Sequence, residues 1–297
     1  MTNETKRYVE VVVSDDSTSG DCSQVSKEIL EEWGGKWKYF LNSTRLGMAA
    51  NWNNSIKLAS GKYILVLHDD DFLYKGSVEN IIDSIKKFEN QYKVLLFGAY
   101  VVNDQEQVLK KQIFPQELYL LPKQALLRLM SNSSFVRFPA LVIHHEVFKE
   151  VGYFNINIGG VADLDMWIRL FSKFGVMCLP ITTCAYTVHS EALTSNMFTL
   201  EVVEQLISLF SQVNDLNILN TITLEKSKSN FFHQFILAGT YRQIKKRDFI
   251  QASKVIQLFD MYDIKQLKIP IKWLLLRRFF EISLFMYSRF YHFKKQD

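Results

Sequence analysis

The sequence predicts an α/β protein: a mostly parallel sheet flanked by helices over residues 1–195, then a helical, basic and aromatic region over 196–297. Three observations carry this. Short β-branched or apolar runs alternate with segments of helical periodicity, the pattern of layered βα units. Residues 63–67 (YILVL) are an unbroken apolar run of strand length, as a strand buried on both faces requires. After about residue 195 the strand-like runs stop and helical spacing continues.

Residues 8–13 (YVEVVV) read as a strand that ends in the polar turn SDDSTSG at 14–20. A helix over 22–33 follows, with Val25, Ile29 and Trp33 on one face. A second strand is expected over 36–41, then a helix over 47–60 with Met48, Trp52, Ile56 and Ala59 aligned and Gly61 as its stop. The apolar strand 63–67 leads into His68-Asp69-Asp70-Asp71. Helix 77–88 and strand 94–100 come next, then helix 123–130 and strand 140–144. Residues 163–174 form a strongly amphipathic helix with Met166, Trp167, Leu170 and Phe174 inward. Two short strands, 176–179 and 184–188, close the predicted domain. Beyond it Val203, Leu206, Ile207 and Phe210 share a helix face.

Hydrophobic residues at 48% and charged residues at 22% describe a folded globular chain of 297 residues and exclude a disordered one. The polar start (residues 1–7) does not read as a signal peptide. Three cysteines (Cys22, Cys178, Cys184) lack metal-ligand spacing and read as reduced thiols. Both points favour the cytoplasm. Net charge is +4, but residues 221–297 hold 15 Lys/Arg against 6 Asp/Glu, whereas 1–220 hold 20 against 25. A weakly acidic body thus carries a basic tail, which suits an anionic surface. Residues 270–295 interleave Trp, Phe and Tyr with Lys and Arg, as a helix in a membrane interface does. A helix packed on its own domain would fit the same composition. Arg277, Arg278 and Glu281 interrupt any transmembrane span, and no nucleic-acid-binding motif is present.

Three successive aspartates at the carboxyl end of an apolar strand stand where open α/β sheets bind ligands. Bunched carboxylates repel one another, and a hard divalent cation relieves this. A solvated turn with capping aspartates would give the same letters. Asp15 and Asp16 repeat the arrangement after another strand. In one parallel sheet the two clusters would line the same edge. His144 and His145 also follow a strand but read as structural.

In order and spacing, VEVVVSDDST, NSTRLGMAANWNNSIKLASGKYILVLHDDD, ADLDMWIRL and YTVHSEALT resemble the family 2 glycosyltransferases, which have the GT-A fold. The resemblance covers residues 8 to about 195. It implies transfer of a sugar from a nucleotide diphosphate sugar to a glycan or lipid-linked acceptor. The reaction is expected to be inverting and to use Mg²⁺ or Mn²⁺, in cell-surface polysaccharide synthesis at the inner face of the membrane.

Residue by residue, Asp15 and Asp16 match nucleobase-holding aspartates, and LHDDD matches the DxD region. Its register is open: His68 and Asp70 take the first and third positions, or Asp69 and Asp71 do. Asp70 is the main metal ligand expected, with Asp71 and His189 beside it and Asp69 on the nucleotide. Asp163 matches the catalytic base, and it can also cap its helix. Ala162 stands where relatives often have Glu. Relatives also place a strand and helix before the strand matching 8–13, so the domain reads as N-terminally shortened. The alternative reading is an inactive relative acting as an interaction protein at the membrane surface.

Overall fold

A computed structural model describes residues 1–293 apart from 20, 89–90, 133 and 189–196, with the backbone alone for 288–293. The chain divides into two compact units, Met1–Ala125 with Val136–His189, and Leu126–Phe135 with Ser190–Asp297.

The first unit opens with one helical turn, α1 (Asn3–Lys6), and then the β-branched strand β1 (Glu10–Asp15). Next come α2 (Asp21–Trp33), β2 (Lys36–Leu41), α3 (Met48–Leu58) and β3 (Tyr63–Leu65). The short β4 (Phe72–Leu73) and helix α4 (Ser77–Phe88) lead to β5 (Val94–Val102), a long strand buried at every residue but Tyr100. After β6 (Val108–Gln112), β7 (Leu118–Leu120) and α5 (Pro122–Ser131), which belongs to the second unit from Leu126 on, the chain forms β8 (Leu141–His144) and α6 (Val147–Val151). Helix α7 (Ala162–Phe174) and the long β9 (Val176–Thr187) complete the unit.

The α/β class is as expected; strand direction is mixed rather than mostly parallel. The seven-stranded sheet runs β3-β8-β5-β9-β4, with β6 on β5 and β7 on β9. Within it β5 and β9 pair in parallel, while β8, β4, β6 and β7 pair antiparallel to their neighbours. Alternating helices and strands imply crossovers, but a hairpin needs none. The β5–β6 turn is such a hairpin, closed by the Asn103 amide on the Gln107 carbonyl at 3.1 Å with Glu106 at φ 58°. Strands β1 and β2 pair in parallel as a separate two-stranded sheet, Glu10 facing Lys36 and Asp15 facing Leu41.

Two local expectations change. The strands predicted at 176–179 and 184–188 are one strand. Leu96 faces Cys178 and Gly98 faces Thr182, so Pro180 sits in a bulge rather than a break. In α2 the apolar stripe forms, but Val25 and Ile29 are exposed. On α3 the stripe is buried as its spacing implies, with Ile56 1% exposed and Trp52 8%.

The second unit is helical: α8 (Leu200–Asp215), α9 (Thr221–Lys245), α10 (Phe249–Ile256), α11 (Tyr262–Lys265) and α12 (Ile271–Phe293). Its core is aromatic, with Phe210, Phe231 and Phe232 mutually in contact. Gly239 of α9 is required there, because a Cβ would lie 2.4 Å from the ring of Phe198. Among the described residues no helix is long and apolar enough to cross a membrane. Gly239→Ala should therefore lower stability by about 1–3 kcal/mol; urea unfolding followed by circular dichroism measures this.

Candidate active site

Strand β1 ends in Asp15, which is buried. Its carboxylate accepts the Tyr39 hydroxyl at 2.6 Å and the Ser17 amide at 2.8 Å. Burial alone would raise its pKa, but these hydrogen bonds outweigh burial and hold it below the usual carboxylate range. Tyr39, on β2, is pushed up to about 12 by the same contact. Asp16 has a different task. It accepts the amides of Leu46 at 2.7 Å and Gly47 at 2.8 Å, and the Asn42 side chain at 2.9 Å. Gly47 has φ 84°, so glycine suits the turn that presents its amide. Burial works against ionisation here too, and the two amides prevail, keeping Asp16 low.

Behind these aspartates lies a side-chain amide network. Asn51 joins Ser14 and Asn42, and Asn54 joins the same two residues. The neighbouring Asn53 points the other way. Its amide exchanges two hydrogen bonds of 2.8 Å with the backbone of Phe154, as a strand partner would. Helix α3 thereby holds both the loop that closes on Asp16 and the segment leading to α7.

Beyond β3 the chain turns through His68–Asp71. His68 stacks on Trp52 with ring centroids 5.2 Å apart and planes 7° apart, and lies 4.5 Å from Phe138. Phe138 and Phe154 in turn pack on Trp167 of α7 at 5.0 and 5.9 Å. Five rings thus join α3, the acidic turn, the 138–140 turn, the 154 segment and α7. Asp69 and Asp70 face solvent, whereas Asp71 is buried. One Asp71 oxygen accepts the Thr187 amide at the end of β9 at 2.9 Å. Burial pushes Asp71 up to about 7; the charges of Asp70 and Asp69 add to this, and Thr187 and Arg137 oppose it. Burial likewise lowers His68.

The donor set fits a divalent cation. One ligand atom from each of His68, Asp70 and Asp71 lies within 4.8 Å of the others. Asp71 Oδ2 and His68 Nε2 are buried without a hydrogen-bond partner, which a coordinated ion would correct. Two carboxylate oxygens and an imidazole nitrogen are donors that a divalent cation accepts. His68 was not among the ligands the sequence suggested, although one register of the acidic motif begins on it. His189 lies outside the described residues.

Asp163 opens α7. One of its oxygens accepts the adjacent Leu164 amide at 2.7 Å, and burial raises its pKa to about 6. Asp165, two residues on, is structural. It receives the Arg169 side chain at 2.6 and 3.0 Å, and the same guanidinium binds the carbonyls of Val151 and Tyr153. Trp52, Phe138 and the Asn53–Phe154 clamp were not identified as site residues from sequence, since apolar or amide side chains carry no chemical signature of their own.

The fold is that of the GT-A class of nucleotide-sugar transferases. S. aureus TarS in complex with UDP matches over 95% of this chain and 82% of its own, at TM-score 0.56 and 16% identity. TarS in complex with UDP-GlcNAc matches over 95% and 83%, at TM-score 0.58 and 15% identity. In sequence, residues 1–152 match the profile of Glycosyl transferase family 2, and the chain belongs to that family. An uncharacterized glycosyltransferase of Rickettsia conorii is 26% identical over 168 residues, 57% of this chain and 27% of that protein. The GalNAc(5)-diNAcBac-PP-undecaprenol beta-1,3-glucosyltransferase of Campylobacter jejuni is 25% identical over 176 residues, 58% of this chain and 53% of its own length. The chain thus spans between about a quarter and a half of these two relatives.

The Asn53 clamp gives a direct test of how the site is assembled. Asn53→Ala leaves the Phe154 amide and carbonyl buried without partners and should cost roughly 1–3 kcal/mol. Chemical denaturation of both proteins measures the loss.

Proposed function

We propose that this chain is a glycosyltransferase that moves a sugar from a nucleotide diphosphate sugar to a glycan or lipid-linked acceptor, with inversion. The observation that carries the reading is the His68–Asp70–Asp71 cluster at the carboxyl end of β3 in a family 2 chain. UDP sugars are the first donors to try, because TarS binds UDP and UDP-GlcNAc. The lipid-linked acceptor named for the Campylobacter relative supports that acceptor class and a role in cell-surface polysaccharide synthesis.

In this reading Asp15 and Asp16 hold the nucleobase end. Asp15 is fixed by Tyr39, and Asp16 shapes the 42–47 loop around it. Asp69 faces the nucleotide. His68, Asp70 and Asp71 hold Mg²⁺ or Mn²⁺, with His189 as a further proposed ligand. A cation bound there supplies charge neutralisation to the departing diphosphate. Asp163 takes the proton from the acceptor hydroxyl as its oxygen bonds to the anomeric carbon. The bond from that carbon to the diphosphate oxygen breaks, and the nucleoside diphosphate leaves. A base with a pKa of about 6 is ionised at neutral pH yet still basic enough for this step.

Transfer should therefore fall about tenfold per pH unit below 6, as Asp163 becomes protonated. Asp163→Asn should retain the fold and donor binding while transfer drops by at least 100-fold. A pH–rate profile of wild type and a single-pH assay of the variant check both, and undiminished transfer in the variant excludes Asp163 as base.

Donor binding should require a divalent ion. Calorimetry with UDP should show binding in Mn²⁺, none in excess chelator, and none in Asp70→Ala with Mn²⁺. Equal affinity in chelator would contradict the metal role.

Membrane contact, and with it a place at the inner face of the cell membrane, is proposed for α12. One face packs inward through Phe280, Leu284 and Arg277, the last lying 4.3 Å over Phe259. The opposite face exposes Ile271, Leu275, Phe279, Ile282, Phe285 and Met286. A helix with a packed side and an apolar outer side suits an interface. Ile282→Glu with Phe285→Glu should abolish flotation with anionic liposomes and leave the melting temperature unchanged; unaltered flotation removes α12 from the contact.

A further inference from the structure

At the other end of the sheet lies a second concave site. The acidic turn follows the carboxyl end of β3, whereas Ser60, Gly61 and Lys62 precede its first residue. Lys93 precedes β5, and β8, running antiparallel to both, delivers His144, His145 and Glu146 to the same edge. With Lys149 of α6, these residues line a cavity of about 600 Å³.

The floor of this cavity is rigid. The His144 amide donates to the Lys93 carbonyl and the His145 amide to the Lys62 carbonyl, both at 2.8 Å. These bonds tie the ends of three strands together. His144 is buried, and its ring stands edge-on to Tyr63 at 4.9 Å. Its Nδ1 accepts the Glu146 amide at 3.3 Å, so Nε2 carries the proton of the neutral ring. His145 is oriented by a 3.0 Å contact from Nδ1 to the Gly61 carbonyl.

The charges above this floor are unbalanced. Three ammonium groups (Lys62, Lys93, Lys149) face one carboxylate, Glu146, leaving +2 with neutral imidazoles. Glu146 lies 3.6 Å from Lys93 on a side chain that is 63% exposed. Lys62 and Lys149 have no carboxylate within 4 Å among the described residues. Ser60 is engaged elsewhere, its amide and hydroxyl both on Glu10. Clustered lysines in a concavity focus potential and recognise phosphate as point charges.

We infer that this cavity binds a phosphate-bearing anion, at a site separate from the sugar-transfer site. The +2 charge suits a phosphate dianion, and the volume leaves room for a second phosphoryl group or for the group that carries the phosphate. A soluble phosphate and a phospholipid headgroup share this chemistry.

The test uses the full chain in excess chelator, which silences the metal-dependent site. One arm titrates inorganic pyrophosphate by calorimetry; the other measures co-sedimentation with phosphatidylglycerol against phosphatidylcholine vesicles. Lys62→Gln with Lys149→Gln should weaken pyrophosphate binding at least tenfold, or remove the phosphatidylglycerol-dependent increment if the source is a lipid. Asp70→Ala should bind like wild type. Glu146→Gln removes the competing carboxylate and should tighten binding, a gain that misfolding cannot produce. The inference is overturned if neither probe binds the wild type, or if the double variant and Glu146→Gln both bind as the wild type does.

Discussion

Trp52 lies flat against His68, and around that pair Phe138, Phe154 and Trp167 close a buried ring cluster. The Asp16 loop, the acidic turn and α7 are all joined to it. Trp52 comes from the helix whose asparagines secure the Asp16 loop, His68 begins the acidic turn, and Trp167 lies four residues beyond Asp163 in α7. Aromatic pairs contribute about 0.5–1.5 kcal/mol each beyond area burial, so the cluster is stiff as well as apolar. Hydrogen bonds reinforce it at both margins, through Asn53 on Phe154 and Thr187 on Asp71.

The same cluster sets the electrostatics. Asp71 Oδ2 lies 4.0 Å from Nδ1 of His68, and burial pushes its carboxyl up to about 7. Glu10 shows the contrast. Burial acts on it too, but the Ser60 amide with Lys38 and Lys36 brings it down to about 2. Both carboxylates keep one buried oxygen without a hydrogen-bond partner, but Glu10 Oε1 has the ammonium groups of Lys38 at 3.0 Å and Lys36 at 3.3 Å beside it.

Much of this was legible in the sequence because it is local. Strand ends followed by Asp-Asp, the helical spacing of Trp52 and Ile56, and the start of an amphipathic helix at Asp163 are short-range patterns, whereas the role given to Asp163 was implied by the family resemblance alone. What could not be read is non-local. No residue pattern shows that β8 inserts antiparallel between β3 and β5, or that β1 and β2 form their own sheet. Pro180 reads as a break, yet a bulge opposite Phe97 absorbs it. The outer apolar face of α2 reads like an inner one, since periodicity reports that a face exists and not what covers it. In the site, His68 was visible as a letter of the motif, but its role depends on a ring contact with a residue sixteen positions earlier.

The contact between Trp52 and His68 also offers the most direct measurement of the central claim, that a divalent cation sits on His68, Asp70 and Asp71. Mn²⁺ bound there would lie beside the Trp52 indole and quench its fluorescence. Titration of wild type with Mn²⁺ should give saturable quenching that is largely lost in Trp52→Phe and absent in Asp70→Ala. Equal saturable quenching in all three proteins would place the cation elsewhere and contradict the account.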